Sequence, residues 1–339
     1  MNPLEIAKRR LVNQRLVSHF ASTPQEVVEW MGVMQGQDLE MAKWAIASRM
    51  AKPSLKAVEE AFAKGEILRT HLNRCTWHIV SRNDIRWMLP LFERRNIGTY
   101  HSSMKAHKTD IGDEDLSLAF AIIRKELSIW HSLTRDDFYP IFSRHDFGTL
   151  HTHYFLAMAE TKGIICSGET PHSYALLDGR VPQQAPLSRE EALALLARRY
   201  LQSHAPATLD DFVMWTGLPK SECRRAILSL GEAVTTEGDH YLHANNLSGR
   251  SNPRFCKLLA AFDEILIGYK DRSAIVSPFH EPKCYNANHG MFYPVILYGN
   301  QIAGNWKRRV FEPVYFDSMK PTPSQEQRAI KEYQSYLRR

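Results

Sequence analysis

Gln35-Gly36-Gln37-Asp38 places two carboxamides two residues apart with a carboxylate directly behind them. A glutamine side chain offers one acceptor oxygen and two N–H donors and does not ionise, so such a pair can orient a small polar target but cannot take its proton. On a helix, residues two apart point in different directions; in an extended link they project to the same side. Gly36 and a helix cap at Asp38 favour the extended link, in which both amides could converge on one small target. In the competing and commoner arrangement, the glutamines satisfy buried backbone groups in a helix–helix corner.

Other catalytic templates are missing. His151-Thr152-His153 has no cysteine or acid nearby at a metal-ligand spacing, and His280-Glu281 lacks the P-C-x-x-C partner of a zinc deaminase. There is no G-x-S-x-G, no G-x-x-x-x-G-K-[ST] and no G-x-G-x-x-G opening a helix, so hydrolase-elbow, NTPase and dinucleotide chemistry lack their signatures. The five cysteines, Cys75, Cys166, Cys223, Cys256 and Cys284, lie far apart without a C-x-x-C pair and read as reduced thiols. Whatever chemistry runs here is expected to run without a cofactor and without a metal.

The elements that must position the glutamines recur along the chain. Thr23-Pro24-Gln25-Glu26-Val27 leads to Trp30 and Gly32, and Thr208-Leu209-Asp210-Asp211-Phe212 leads to Trp215 and Gly217, with the Trp seven and the Gly nine positions after each Thr. Thr134-Arg135-Asp136-Asp137-Phe138 starts the same way without the Trp and Gly. Each reads as a capping box opening a short helix. A helix precedes each box, at 4–20, 115–131 and 188–204. A second helix follows, at 38–50, 149–162 and 219–230, and then a β-hairpin, at 67–80, 164–177 and 233–243. This is the winged-helix order, expected three times.

From about residue 253 the composition changes to aromatic and β-branched runs, at 258–269, 273–276, 290–298, 301–307 and 310–316, as in a small β-barrel or curled sheet. Pro321-Thr322-Pro323-Ser324 then opens a polar helix ending at Leu337-Arg338-Arg339, whose basic end suits its own macrodipole and whose default role is structural. The fold class expected is therefore α+β. It comprises three tandem winged-helix modules (1–90, 91–186 and 187–249), a small C-terminal β-barrel (250–319) and a terminal helix (320–339).

With 43 Lys and Arg against 37 Asp and Glu the net charge is +6, which favours a polyanionic partner. Basic residues fall on the expected wings and barrel turns: Arg69, Arg74, Lys270, Arg272, Lys307, Arg308 and Arg309. Any one of them could instead be a solvated charge or a structural ion pair, as Asp271 beside Arg272 allows. No run approaches 18 apolar residues, and the N-terminus carries its charges inside a helical pattern, so neither a membrane span nor a secretory signal is expected.

Together, Gln35-Gly36-Gln37 with Trp44 and Arg49, Leu68-Arg69-Thr70-His71, and the run Arg74-Cys75-Thr76-Trp77-His78 make the first part of the chain similar to the AlkZ-like (YcaQ-like) winged-helix DNA glycosylases. Residues 261–273, beginning Ala261-Phe262-Asp263-Glu264, and the runs 290–294 and 304–308 extend the resemblance over nearly the whole chain. It implies three winged helices and a β-barrel around a channel for double-stranded DNA. The implied activity is monofunctional excision of N-alkylated purines, including bulky adducts and interstrand crosslinks. The family's two catalytic positions carry onto Gln35 and Gln37; Gly36 departs from the apolar residue usual between them.

An N3- or N7-alkylated purine is cationic and leaves as a neutral base, so the transition state is mostly a sugar oxocarbenium ion seeking water. Two amides suffice to hold that water. Asp38 is expected to cap the next helix, with added negative potential near the sugar as the alternative, and Asp263 and Glu264 to brace their motif, with service as catalytic acids as theirs. His71 and His78 could contact phosphate or adduct, or simply pack. DNA contacts are expected from Arg69, Arg74, His78, Lys270, Arg272, Lys307 and Arg308. A monomer acting in the cytoplasm, on the nucleoid, completes the reading. The alternatives are a winged-helix regulator without catalysis and a self-resistance protein that sequesters a genotoxin.

Overall fold

Cap chemistry sets the helix starts as the sequence predicts. Thr134 and Thr208 each accept the N–H of the acid three residues on, Asp137 or Asp211, and that acid's carboxylate accepts the cap's own N–H. Thr23 accepts from Glu26 N, while Glu26 reaches one residue further back to Ser22 N at 2.9 Å. The computed structural model describes residues 1–249, 255–308 and 310–338. They fall into two compact units, Met1–Glu59 with Leu193–Arg339, and Glu60–Ala192, a coarser division than the five segments expected.

The first unit contains the helices Pro3–Asn13, Pro24–Met31 and Leu39–Ala47, then, after the return of the chain, Leu209–Thr216 and Lys220–Leu228 and the antiparallel hairpin Val234–Glu237 with His240–His243. The two repeat glycines have a steric reason. Gly32 (φ 80°) and Gly217 (φ 68°) both end their helices in backbone that L side chains avoid, and a Cβ on Gly32 would meet Arg199 Cβ at 3.1 Å.

The C-terminal segment differs from the expected barrel. Its strands form an open antiparallel sheet in the order Glu312–Tyr315, Gln301–Lys307, Val295–Tyr298, Cys256–Leu259, and no closed barrel exists among the described residues. Two stretches read as β in the sequence are used otherwise. Asp263 caps the short helix Glu264–Ile267, residues 273–276 form a turn, and the remaining described strands, Tyr285–Asn286 and Met291–Phe292, pair with each other as a separate two-stranded sheet rather than joining the two edges. The helix Pro323–Arg338 covers one face of the sheet. Its Tyr333 and Tyr336 rings lie 4.9 and 5.0 Å from that of Trp44, and the indoles of Trp44 and Trp306 donate to the carbonyls of Leu258 and Leu259.

The second unit holds the antiparallel pair Ile67–His71 and Trp77–Ser81, the helices Ile85–Ala106, Asp113–Trp130, Arg135–Ser143 and Thr149–Thr161, and a three-stranded sheet in the order Leu133–Thr134, Ser173–Leu176, Ile165–Ser167. Its core packs Phe138, Phe142, Phe155, Ile123 and Ile165, all fully buried. Among the described residues no helix is long and apolar enough to cross a membrane.

Candidate active site

Gln35 ends the short strand Val33–Gln35, and the chain bends at Gln37 and Asp38 before the helix Leu39–Ala47. The paired strand therefore ends at Gln35, and a bend at Gln37 and Asp38 interrupts the expected extended link. Asp38 is the helix cap the sequence suggests, its backbone extended (φ −99°, ψ 101°) and its side chain accepting Met41 N at 3.1 Å. The two amides end in different surroundings. Gln35 is 8% exposed and Gln37 is exposed.

Gln35 is held at both ends. Its backbone N–H donates to Glu264 Oε1 at 2.8 Å, and its side-chain oxygen accepts the N–H of Gly36 at 2.9 Å. A carbonyl oxygen carries two lone pairs, so the bond from Gly36 does not by itself exhaust it as an acceptor. The other carboxylate oxygen of Glu264 accepts the indole N–H of Trp215 at 3.1 Å, and Glu264 itself is 1% exposed. One residue earlier, Asp263 pairs with both terminal nitrogens of Arg49 at 2.8 and 3.0 Å, and Arg49 also donates to Gln14 Oε1. Asp263 and Glu264 thus brace, as the sequence suggested, and what they brace includes the glutamine loop.

His204 lies against this brace, its ring stacked 4.7 Å from Tyr200 and its Nε2 3.6 Å from Glu264 Oε2. Burial lowers its pKa below the ordinary 6.5, outweighing the pull of Glu264, with the charges of Arg49 and Arg10 adding to the lowering. His153 and His243 shift the same way, again mainly by burial. A histidine whose folded pKa is depressed takes up its proton more readily when unfolded, so stability is lost as pH falls through the unfolded value near 6.5. Urea unfolding is expected to show this loss, and His204→Gln to flatten it; an unchanged slope would remove His204 from that account.

The basic residues occupy varied settings. In the second unit, Arg69 lies 4.0 Å over the Trp77 ring, which also meets the His71 ring at 3.9 Å. Arg74 sits at the hairpin end with φ 55°. His78, expected to contact DNA, is instead 1% exposed with its Nδ1 2.9 Å from the Thr76 carbonyl, and His71, for which contact and packing both stand open in the sequence, pairs at 2.8 Å with buried Glu160. In the first unit, exposed Lys270 shares Asp210 with Lys220, and these two ammonium groups hold the Asp210 carboxyl below its usual range, Lys220 foremost. Arg272 is mostly buried, donating to the Leu266 carbonyl at 2.6 Å and to Glu281 at 3.0 Å. Lys307 pairs with Glu312 at 2.8 Å, and Arg308 comes to 4.0 Å of Asp38, beside the glutamines. Arg309 lies outside the described residues. No group of three or more His, Cys, Asp or Glu among the described residues could hold a metal ion, and the five cysteines are free thiols.

The sequence did not reveal Trp215 or His204 as parts of the site. The Trp at the repeat position was visible, yet its counterpart Trp30 donates to the Asn13 carbonyl instead, so repeat position alone does not fix the partner.

Three comparisons bear on this arrangement. An interstrand DNA cross-link repair glycosylase of Streptomyces sahachiroi is 22% identical over 332 residues, covering 88% of this chain and 85% of that protein. The solved structure of Streptomyces sahachiroi DNA glycosylase AlkZ superimposes with a TM-score of 0.81 at 19% identity, over 99% of this chain and 96% of that one, and so has the same fold. The family model described as DNA glycosylase AlkZ-like matches residues 28–311, a span that holds Gln35, Gln37, Arg49, Trp215, Asp263 and Glu264, and this chain belongs to that AlkZ-like family.

Proposed function

We propose that this protein is a DNA glycosylase that hydrolyses the N-glycosidic bond of cationic N-alkylated purines in double-stranded DNA, including bulky adducts and interstrand crosslinks. The observation that carries the reading is the family match across residues 28–311, with the paired glutamines inside it. The similarity to an interstrand cross-link repair glycosylase supports the crosslink substrate. Gln35 and Gln37 hold the attacking water. The doubly anchored Gln35 carboxamide presents a fixed acceptor, and exposed Gln37 completes the cradle from the solvent side. An amide oxygen orients the water and offsets part of the sugar's positive charge, while the cationic base needs no protonation to leave. The enzyme is monofunctional, needs no cofactor, and meets DNA in the cytoplasm as a monomer built on winged helices.

The test is base release from duplexes carrying N7-methylguanine and, separately, a nitrogen-mustard crosslink, comparing wild type with Gln35→Ala/Gln37→Ala. Release by the wild type alone establishes activity and site together. DNA binding without release from either substrate would favour the regulator.

Phosphate contacts are assigned to the cations least committed to the fold. Lys270 is exposed and its pairing with Asp210 is a surface one, which is readily exchanged for phosphate. Lys270→Ala is expected to weaken binding to all sequences and reduce the slope of log K against log salt by about one unit. Arg272→Ala, which opens bonds to Leu266 and Glu281, should lower stability as well. Binding isotherms at several salt concentrations decide both; an unchanged slope for Lys270→Ala would return that residue to the surface.

A further inference from the structure

We infer that Glu264, clamped by Trp215, is a positioning residue that fixes the backbone of Gln35, and so the angle at which the glutamine presents its carboxamide. The inference rests on the proposed function and adds to it the residue on which the geometry of the water site depends.

Glu264 takes no direct part in the chemistry. It is 1% exposed, and each of its oxygens accepts a hydrogen bond, one from Gln35 N at 2.8 Å and the other from Trp215 Nε1 at 3.1 Å. Only a carboxylate suits this place. Gln35 N and Trp215 Nε1 are both donors, with His204 Nε2 a further 3.6 Å from Oε2, and an amide has a single acceptor oxygen, so a glutamine here could accept from only one of the two N–H groups in the present geometry. Charge-assisted bonds to a carboxylate are also short and directional, which suits a residue whose task is placement. Glu264 is itself fixed from behind, because Asp263 caps its helix through Ile265 N and is locked by Arg49.

The consequence lies at Gln35. With its N–H held by Glu264 and its side-chain oxygen held by Gly36 N, both ends of the residue are anchored. Gly36 supplies no side chain to stiffen the loop, and Gln37 is exposed, so the Glu264 contact sets the loop's position on its buried side. Catalysis by orientation is sensitive to placement on the scale of an ångström.

The experiment compares wild type, Glu264→Gln, Trp215→Phe and Glu264→Gln/Trp215→Phe. The readouts are single-turnover base release from an N7-methylguanine duplex, affinity for that duplex, and hydrogen exchange at the Gln35 amide. Glu264→Gln is expected to slow base release by about 30-fold, within the range that ångström-scale misplacement produces, with DNA affinity unchanged. Adding Trp215→Phe removes the donor that competes for the amide's single acceptor oxygen, which then turns to Gln35 N, and is expected to restore most of the rate and the protection of the Gln35 amide. Loss of rate without restoration in the double variant would assign Glu264 an effect through its charge and overturn the positioning role. Parallel loss of rate and DNA affinity would overturn it too. If Glu264→Gln does not fold, Trp215→Phe alone should speed Gln35 exchange, and unchanged exchange overturns the inference. If no duplex releases base even with the wild type, the proposed function fails; Gln35 exchange, faster in Glu264→Gln and slowed again in the double variant, then still supports the positioning role, and unchanged exchange overturns it.

Discussion

Gln37→Ala is expected to slow single-turnover base release by about 100-fold or more, the scale seen when one preorganised polar group is removed from a transition state. Affinity for the damaged duplex should change by less than about twofold, because an interaction made only with the reacting water contributes to rate and not to ground-state binding. The split is clean because Gln37 is exposed and caps no helix, so its removal leaves stability within about 0.5 kcal/mol. Gln35→Ala behaves differently. It removes the acceptor of the Gly36 N–H, a bond made where both residues are buried, and should lower stability by about 1–3 kcal/mol in addition to slowing the reaction. Full activity in Gln37→Ala would remove that residue from the water site and leave Gln35 to hold the water alone.

What was legible in the sequence was local. The three Thr-x-x-acid boxes were readable because a cap is made by residues three apart, and the hairpins and second helices followed from periodicity and turns. The glutamine pair stood out because two amides two apart in a glycine link can converge on one small target, although satisfying buried backbone is the commoner use of such residues. The bracing of that pair was not legible, since Glu264 is 229 positions from Gln35 and nothing near either residue announces the other. The helix Ile85–Ala106 was missed for two reasons. Pro90 lies inside it, and its buried stripe Phe92, Asn96, Tyr100, Met104 includes a polar member, Asn96, that donates to the Leu72 carbonyl. The barrel failed because Asp263 reads as part of a β-run until its cap to Ile265 N is seen. Basic residues were easy to find and hard to sort. Lys270 and Arg272 stand two apart, yet one faces solvent with a surface partner and the other is folded into the structure.

Asp263→Asn is expected to lower stability by about 3–5 kcal/mol, the typical cost of breaking a buried ion pair by removing one partner. Both partners are fully buried: Arg49 and Asp263 have side chains 0% exposed. Asparagine keeps an acceptor for Ile265 N, so the helix cap survives and the loss reports on Arg49, left with a charge and no counter-ion. Arg49→Met should cost a similar amount, because it strands the carboxylate and also removes the donor to Gln14, whose own amide donates to Tyr269. The two losses should not add. In Arg49→Met/Asp263→Asn neither charge remains to be buried alone, so the double variant should be more stable than the sum of the singles predicts by about 0.5–3 kcal/mol, the range for residues in direct contact. Urea unfolding of the four proteins measures this coupling. Additive losses would mean that each residue acts through separate neighbours, and the brace behind the glutamine loop would then rest on Glu264 and Trp215 without the ion pair.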